Sequence, residues 1–142
     1  MIHHGRCLCG AVTVAAELSD EIGACFCDMC MRWSGSAMMG VDAVPGTVVV
    51  AGPVKTFRSS SFSERAWCDT CGSNLWMRDD EGVFELMPGL FPNAGDARLT
   101  NVVYADRAPA GWNYAGDPRR ISAAEYEKSN PFVPEGDADD DL

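Results

Sequence analysis

Hydrophobic and polar positions alternate in "GAVTVAAEL", and its β-branched residues predict a strand over residues 11–18. Residues 36–44 predict another. "TVVVAG" predicts a short buried strand ending at Gly52–Pro53. "VKTFRSS" and "SFSERAWC" predict a hairpin pair. "SNLWMRDDEGVFELMPG" predicts a clearer hairpin, with two apolar runs flanking "DDEG" and Gly82 at the turn position that wants positive φ. "LTNVVYA" predicts a late strand. Only one helix has a start signal: Ser122 and Glu125 form a capping box ahead of "AAEYEKS", and Pro131 follows its end. Short strands punctuated by Gly and Pro predict a mainly β fold of short antiparallel strands with one short C-terminal helix.

A chain of 142 residues is one domain by length, and it buries about two-thirds of the surface that its unfolded form exposes. No internal repeat or convincing boundary divides it, so residues 1–133 are expected to form a single domain. The last segment, "PEGDADDDL" (134–142), is expected to be a disordered acidic tail. Net charge is −10 and the pI about 4.4. Phosphate binding needs a basic face, so nucleic acid is excluded as the main partner, and so is an anionic membrane surface. "MIHHGRCLCG" has no apolar run of signal-peptide length, and no segment approaches the ~20 apolar residues of a membrane span. The expected compartment is a reducing cytoplasm, where thiols bind metals rather than each other. The odd count of seven cysteines also disfavours a purely disulfide-bonded framework.

Those cysteines fall in three clusters: Cys7 and Cys9; Cys25, Cys27 and Cys30; Cys68 and Cys71. In "CLCG" and "CDTCG" a glycine follows the second cysteine. A metal knuckle wraps backbone amides around thiolate sulfurs, and the next residue then needs a conformation that glycine tolerates. Met31 occupies that position in the middle cluster. The natural division is therefore four plus three. Cys7, Cys9, Cys68 and Cys71 suffice for a tetrahedral structural zinc, a staple spanning about 60 residues. Cys25, Cys27 and Cys30 make a three-ligand set of the kind found at a catalytic zinc, whose fourth position takes water or substrate. Other groupings remain open from sequence. Cys27 and Cys30 with Cys68 and Cys71 would make a zinc ribbon, although the gap is about twice the usual spacing. The trio could also hold an iron–sulfur cluster or act as a metal-free redox group.

Three thiolates around Zn²⁺ carry one net negative charge, which favours a neutral or thiol ligand. Arg32 follows the trio and is the candidate for neutralising a substrate carboxylate. Trp33 is either a pocket wall or core. "SGS" (34–36) reads as a flexible turn, and "LMPGLF" (86–91) as a second wall. His3 and His4 lie at the chain end, where the expectation is exposure without a role.

Taken in order, "GRCLCGAVTV", "CFCDMCMRWSGS", "WCDTCGSNL" and "LTNVVYADRAPAGW" resemble the glutathione-dependent formaldehyde-activating enzyme family, which includes centromere protein V. The resemblance runs from about Gly5 to Trp112. It implies a β-tent fold with two zinc ions. Cys7, Cys9, Cys68 and Cys71 would hold the structural ion, and Cys25, Cys27 and Cys30 the catalytic one. It also implies carbon–sulfur lyase chemistry on a small thiol, the founding reaction joining formaldehyde to glutathione. Two departures stand out. Phe26 replaces the histidine usual between the first two cysteines of the trio, and Asn101 stands where a late-strand histidine is common. Two functions follow: a zinc-dependent enzyme handling a thiol adduct of a small aldehyde, or a non-catalytic zinc module that binds a small thiol or a protein.

Overall fold

The computed structural model describes residues 1–130. Ten strands are present among them: β1 (Ile2–Arg6), β2 (Thr13–Cys25), β3 (Met38–Ala43), β4 (Val49–Ala51), β5 (Val54–Arg58), β6 (Ser63–Cys68), β7 (Asn74–Asp79), β8 (Phe84–Leu86), β9 (Arg98–Val103) and β10 (Arg119–Ile121). Two short helices join them, α1 (Asp28–Ser34) and α2 (Ala123–Glu127). The mainly β expectation holds. The helix with the capping box is α2, where the Ser122 hydroxyl accepts from the Glu125 N–H at 3.1 Å. No helix among the described residues is long and apolar enough to cross a membrane. Pro131 and the acidic tail lie outside the described residues.

Strand β2 organises the fold. Its first half pairs with β1 and β4, and its second half with β3 and β9. A register irregularity between Leu18 and Ile22 marks the change. From there the order is β10-β9-β2-β3-β8-β7-β6-β5. Because side chains alternate across a strand, β2 faces two ways. Val14, Ala16, Ile22 and Ala24 are buried on the core side, while Glu21, Gly23 and Cys25 line a cavity. The main core gathers Val12, Val14, Val41, Leu75, Trp76, Leu86 and Phe91. A second cluster holds Phe26, Val102, Tyr104 and Ala123, with Phe26 and Tyr114 centroids 6.1 Å apart.

Several local expectations are corrected. β9 runs parallel to β2, and β10 parallel to β9, so the sheet is mixed rather than antiparallel. The chain between Cys25 and Arg98 is long enough for the first crossover, and alternation carries no information on strand direction. β4 is not a buried strand: Val49 is 66% exposed, because β4 pairs only with the outer half of β2. In the β7–β8 turn the positive φ belongs to Glu81 (61°) rather than to Gly82. β1 was not predicted, and it places His3 half-buried beside β2. "SGS" is a fixed helix cap, not a flexible turn, since the Gly35 N–H closes α1 on the Met31 carbonyl at 2.8 Å.

Candidate metal centres and the cavity beside them

The structure brings the seven thiols together as four and three. Sulfurs of Cys7, Cys9, Cys68 and Cys71 lie within 4.8 Å of one another, and so do those of Cys25, Cys27 and Cys30. No disulfide joins any of them. The zinc-ribbon grouping is ruled out, because Cys27 and Cys30 sit in one cluster and Cys68 and Cys71 in the other.

The four-thiol cluster joins the end of β1 to the β6–β7 turn. Cys7 receives the Val12 N–H at 3.2 Å and Cys9 the Ala11 N–H at 3.4 Å. Gly10 and Gly72 close their knuckles by donating to the carbonyls of Cys7 and Cys68, at φ values of 80° and 77°. Both adopt the left-handed conformation that the sequence implied. Ser73 ties the two knuckles together: its hydroxyl accepts from the Leu8 N–H at 3.0 Å and lies 3.2 Å from Cys71 Sγ. Hydrogen bonds from the Ser73 hydroxyl and N–H hold Cys71 down to about 5. The donor set fits zinc. A tetrahedron with ~2.3 Å Zn–S bonds has edges of about 3.8 Å. The Cys7–Cys9 and Cys9–Cys68 sulfur distances are 3.6 and 3.9 Å.

In the trio, Cys25 ends β2 and Cys27 is the N-cap of α1, its sulfur accepting the Cys30 N–H at 3.4 Å. Cys25 receives the Cys27 N–H at 3.5 Å. Cys27 is strongly depressed by hydrogen bonding from Cys25 and Cys30, then by the Cys30 amide and the charge of Arg65. Cys27 and Cys30 in turn push Cys25 up, as expected where thiols converge.

Arg65 is the residue that the sequence did not single out. It is 2% exposed, and its two terminal nitrogens lie 3.6 and 3.7 Å from Cys30 Sγ. Trp33 stacks beneath it, 5.1 Å from ring centroid to guanidinium carbon, and Nε makes no hydrogen bond. A buried cation needs a counter-charge, and the nearest acceptors are the trio sulfur and Met38 Sδ. Hydrogen bonding from Cys25 and the charge of Arg65 pull Cys30 toward the thiolate, the form that binds metal, against Cys27 and burial, which together push it up to about 11. Arg32, by contrast, is exposed on the last turn of α1, outside the cavity lining. "LMPGLF" contributes Leu86, Leu90 and Phe91 to the core and lines a larger groove that the trio does not enter. His3 and His4 belong to neither thiol cluster.

Cys25 and Cys30 open onto a cavity of about 300 Å³ on the non-core face of the sheet. Of the two departures from the resembled pattern, Asn101 lines this cavity, whereas Phe26 is buried in the second core. Glu21, Asp42 and Glu85 also line it. Burial, then Asp42 and Asp79, push Glu85 from 4.5 up to about 7, opposed by Arg65. Burial and Glu21 raise Asp42. A carboxyl raised in the folded state opposes folding once it ionises, so stability falls as pH rises from about 4.5 through about 7. Glu85→Gln should therefore stabilise the chain by roughly 2–3 kcal/mol at pH 8 and by under about 1 kcal/mol at pH 5. Urea unfolding at the two pH values measures this; equal gains at both would contradict it.

Residues 2–106 match the family described as glutathione-dependent formaldehyde-activating enzyme. The chain belongs to that family. It is 26% identical over 131 residues to an uncharacterized lyase of Schizosaccharomyces pombe, covering 89% of this chain and 96% of that protein. Its fold is shared with the crystal structure of a Rhodobacter sphaeroides protein, with a TM-score of 0.55 at 20% identity, over 68% of this chain and 99% of that one.

Proposed function

We propose that the chain is a zinc-dependent, carbon–sulfur lyase-type enzyme that makes or breaks the adduct of a small thiol with a small aldehyde. The observation that carries this reading is the trio itself: three converging thiols, one held by a buried arginine and two in the wall of a cavity sized for a small molecule. Family membership and the lyase name of the yeast relative support it. Cys7, Cys9, Cys68 and Cys71 would hold a structural zinc. Cys25, Cys27 and Cys30 would hold the second ion, which when bound supplies Lewis acidity and favours thiolate over thiol.

The chain's own residues do the rest. Arg65 balances the single net negative charge of three thiolates and a divalent ion, so the site can take a further thiolate at lower electrostatic cost. The cavity over Gly23 and Gly40 would hold the thiol beside the trio and orient it. In the forward direction a sulfur–carbon bond forms, the carbonyl π pair moves to oxygen, and the thiol proton ends on that oxygen. The reverse step restores thiol and aldehyde. Purified chain with formaldehyde and a thiol should form the hydroxymethyl thioether faster than the spontaneous reaction, and Cys25→Ser should abolish the excess rate. A second reading, thiol binding without catalysis, draws on the absence of any histidine or lysine from the cavity lining. Binding with no acceleration would favour that reading.

A further inference from the structure

The cavity beside the trio has an unusual floor. Gly23 on β2 and Gly40 on β3 are register partners, side by side beneath it. Neither has positive φ, so backbone conformation does not demand glycine at either position. A Cβ on Gly23 would meet nothing within 4 Å, and one on Gly40 would press on Glu85 Cβ and Oε2 at 3.2 Å. Glycine inside a strand costs stability, and it recurs where a ligand approaches the backbone. At Gly23 the missing side chain leaves room beside Cys25, and at Gly40 it lets Glu85 lie close over the backbone.

The walls are of one sign. Glu21, Asp42 and Glu85 face the cavity, and no lysine, arginine or histidine is in the lining. Asp42 and Glu85 are register partners on β3 and β8, like charges side by side, which is destabilising unless something between them compensates. Glu85 receives no hydrogen bond from any described residue, although it is largely desolvated. Neither nearby cation hydrogen-bonds to the acidic wall, although the charge of Arg65 reaches Glu85. Arg65 is committed to Cys30 and Trp33, and Arg98, the register partner of Glu21, makes no ion pair with it. The carboxylates do not converge as a metal site would: among the described residues, the groups able to close on one ion are the two thiol clusters. A spread acidic wall beside a thiol-binding centre suits an organic cation tethered to the sulfur. The net charge of −10 adds long-range attraction for such a ligand.

We infer that the thiol taken by this site is an aminothiol, its ammonium seated over Gly23 and Gly40 against Asp42 and Glu85 while its sulfur reaches the Cys25–Cys27–Cys30 centre. This rests on the thiol-handling reading above and names its substrate class. An ammonium donates up to three hydrogen bonds, which matches the unpaired carboxylate oxygens. A thiol bearing a carboxylate on a short tail would meet repulsion instead.

Isothermal titration calorimetry of the full chain, purified with its metal, tests this with three thiols of similar length: 2-aminoethanethiol, 2-mercaptoethanol and 3-mercaptopropionate. Thiol acidity differs among them, so the decisive quantity is how the preference changes when the wall is neutralised. Wild type should prefer the aminothiol over mercaptoethanol by at least ~10-fold and bind the mercaptopropionate weakest. Glu21→Gln/Asp42→Asn/Glu85→Gln should cut that preference by about 10-fold, the size of one charged contact, with mercaptoethanol affinity held within about 2-fold. Asp42→Asn alone should cut it by a smaller factor, and serves if the triple variant does not fold. If mercaptoethanol binds but neutralising the wall leaves the preference unchanged, the aminothiol assignment falls and the thiol-handling function stands. If none of the three thiols binds, both fall.

Discussion

Cys71→Ser should yield a chain that does not fold, recovered as aggregate or as a species lacking near-ultraviolet circular dichroism. The four-thiol cluster joins the end of β1 to the β6–β7 turn, ties together residues about 60 positions apart, and is continuous with the core through Cys7 and Cys68, both fully buried. Metal binding at such a site is folding energy, about 10–16 kcal/mol in small zinc peptides. A domain of this size has roughly 5–15 kcal/mol of stability in total, so a weakened site leaves little margin. Cys25→Ser should behave differently. Cys25 is half-buried at a cavity wall, at the end of its strand, and is not the sulfur that Arg65 holds. That variant should fold and retain one metal ion. If Cys25→Ser unfolds the chain while Cys71→Ser leaves it intact, the two centres have their roles exchanged.

Arg65→Met should weaken metal binding at the trio by about 10–100-fold, the usual effect of removing a partner that holds a ligand from behind. Methionine keeps much of the volume above Trp33 and removes the charge facing Cys30. Arg65→Lys keeps the charge but loses the fork that spans Cys30 Sγ with two nitrogens, so it should recover part of the affinity. Competition against a chromogenic chelator should show one of two ions released more readily, the other unchanged. Release of both or of neither would contradict the assignment of Arg65 to the trio.

The division of the cysteines was legible because Gly10 and Gly72 advertise the knuckle geometry. The β7–β8 hairpin was legible because two apolar runs flank the polar turn "DDEG", and the expected β5–β6 pair is also present. Helix α1 was not. Its cap is the sulfur of Cys27 rather than a serine or aspartate, and it buries only Cys30, so neither cap chemistry nor periodicity announces it. Nor was the role of Arg65. Alternation places it on the face shared with Met77 and Glu85 across β6, β7 and β8, but the approach of that face to Cys30 is made by α1, far away in sequence. Arg32 drew notice by adjacency alone, and a helix turns an adjacent side chain away from its neighbour.

Elemental analysis of the chain purified without chelator tests most directly whether the two thiol clusters are two unlike metal centres. The expected result is two zinc ions per chain in the wild type, and one in Cys25→Ser. Absence of zinc from the wild-type protein, or iron accompanied by inorganic sulfide, would contradict it.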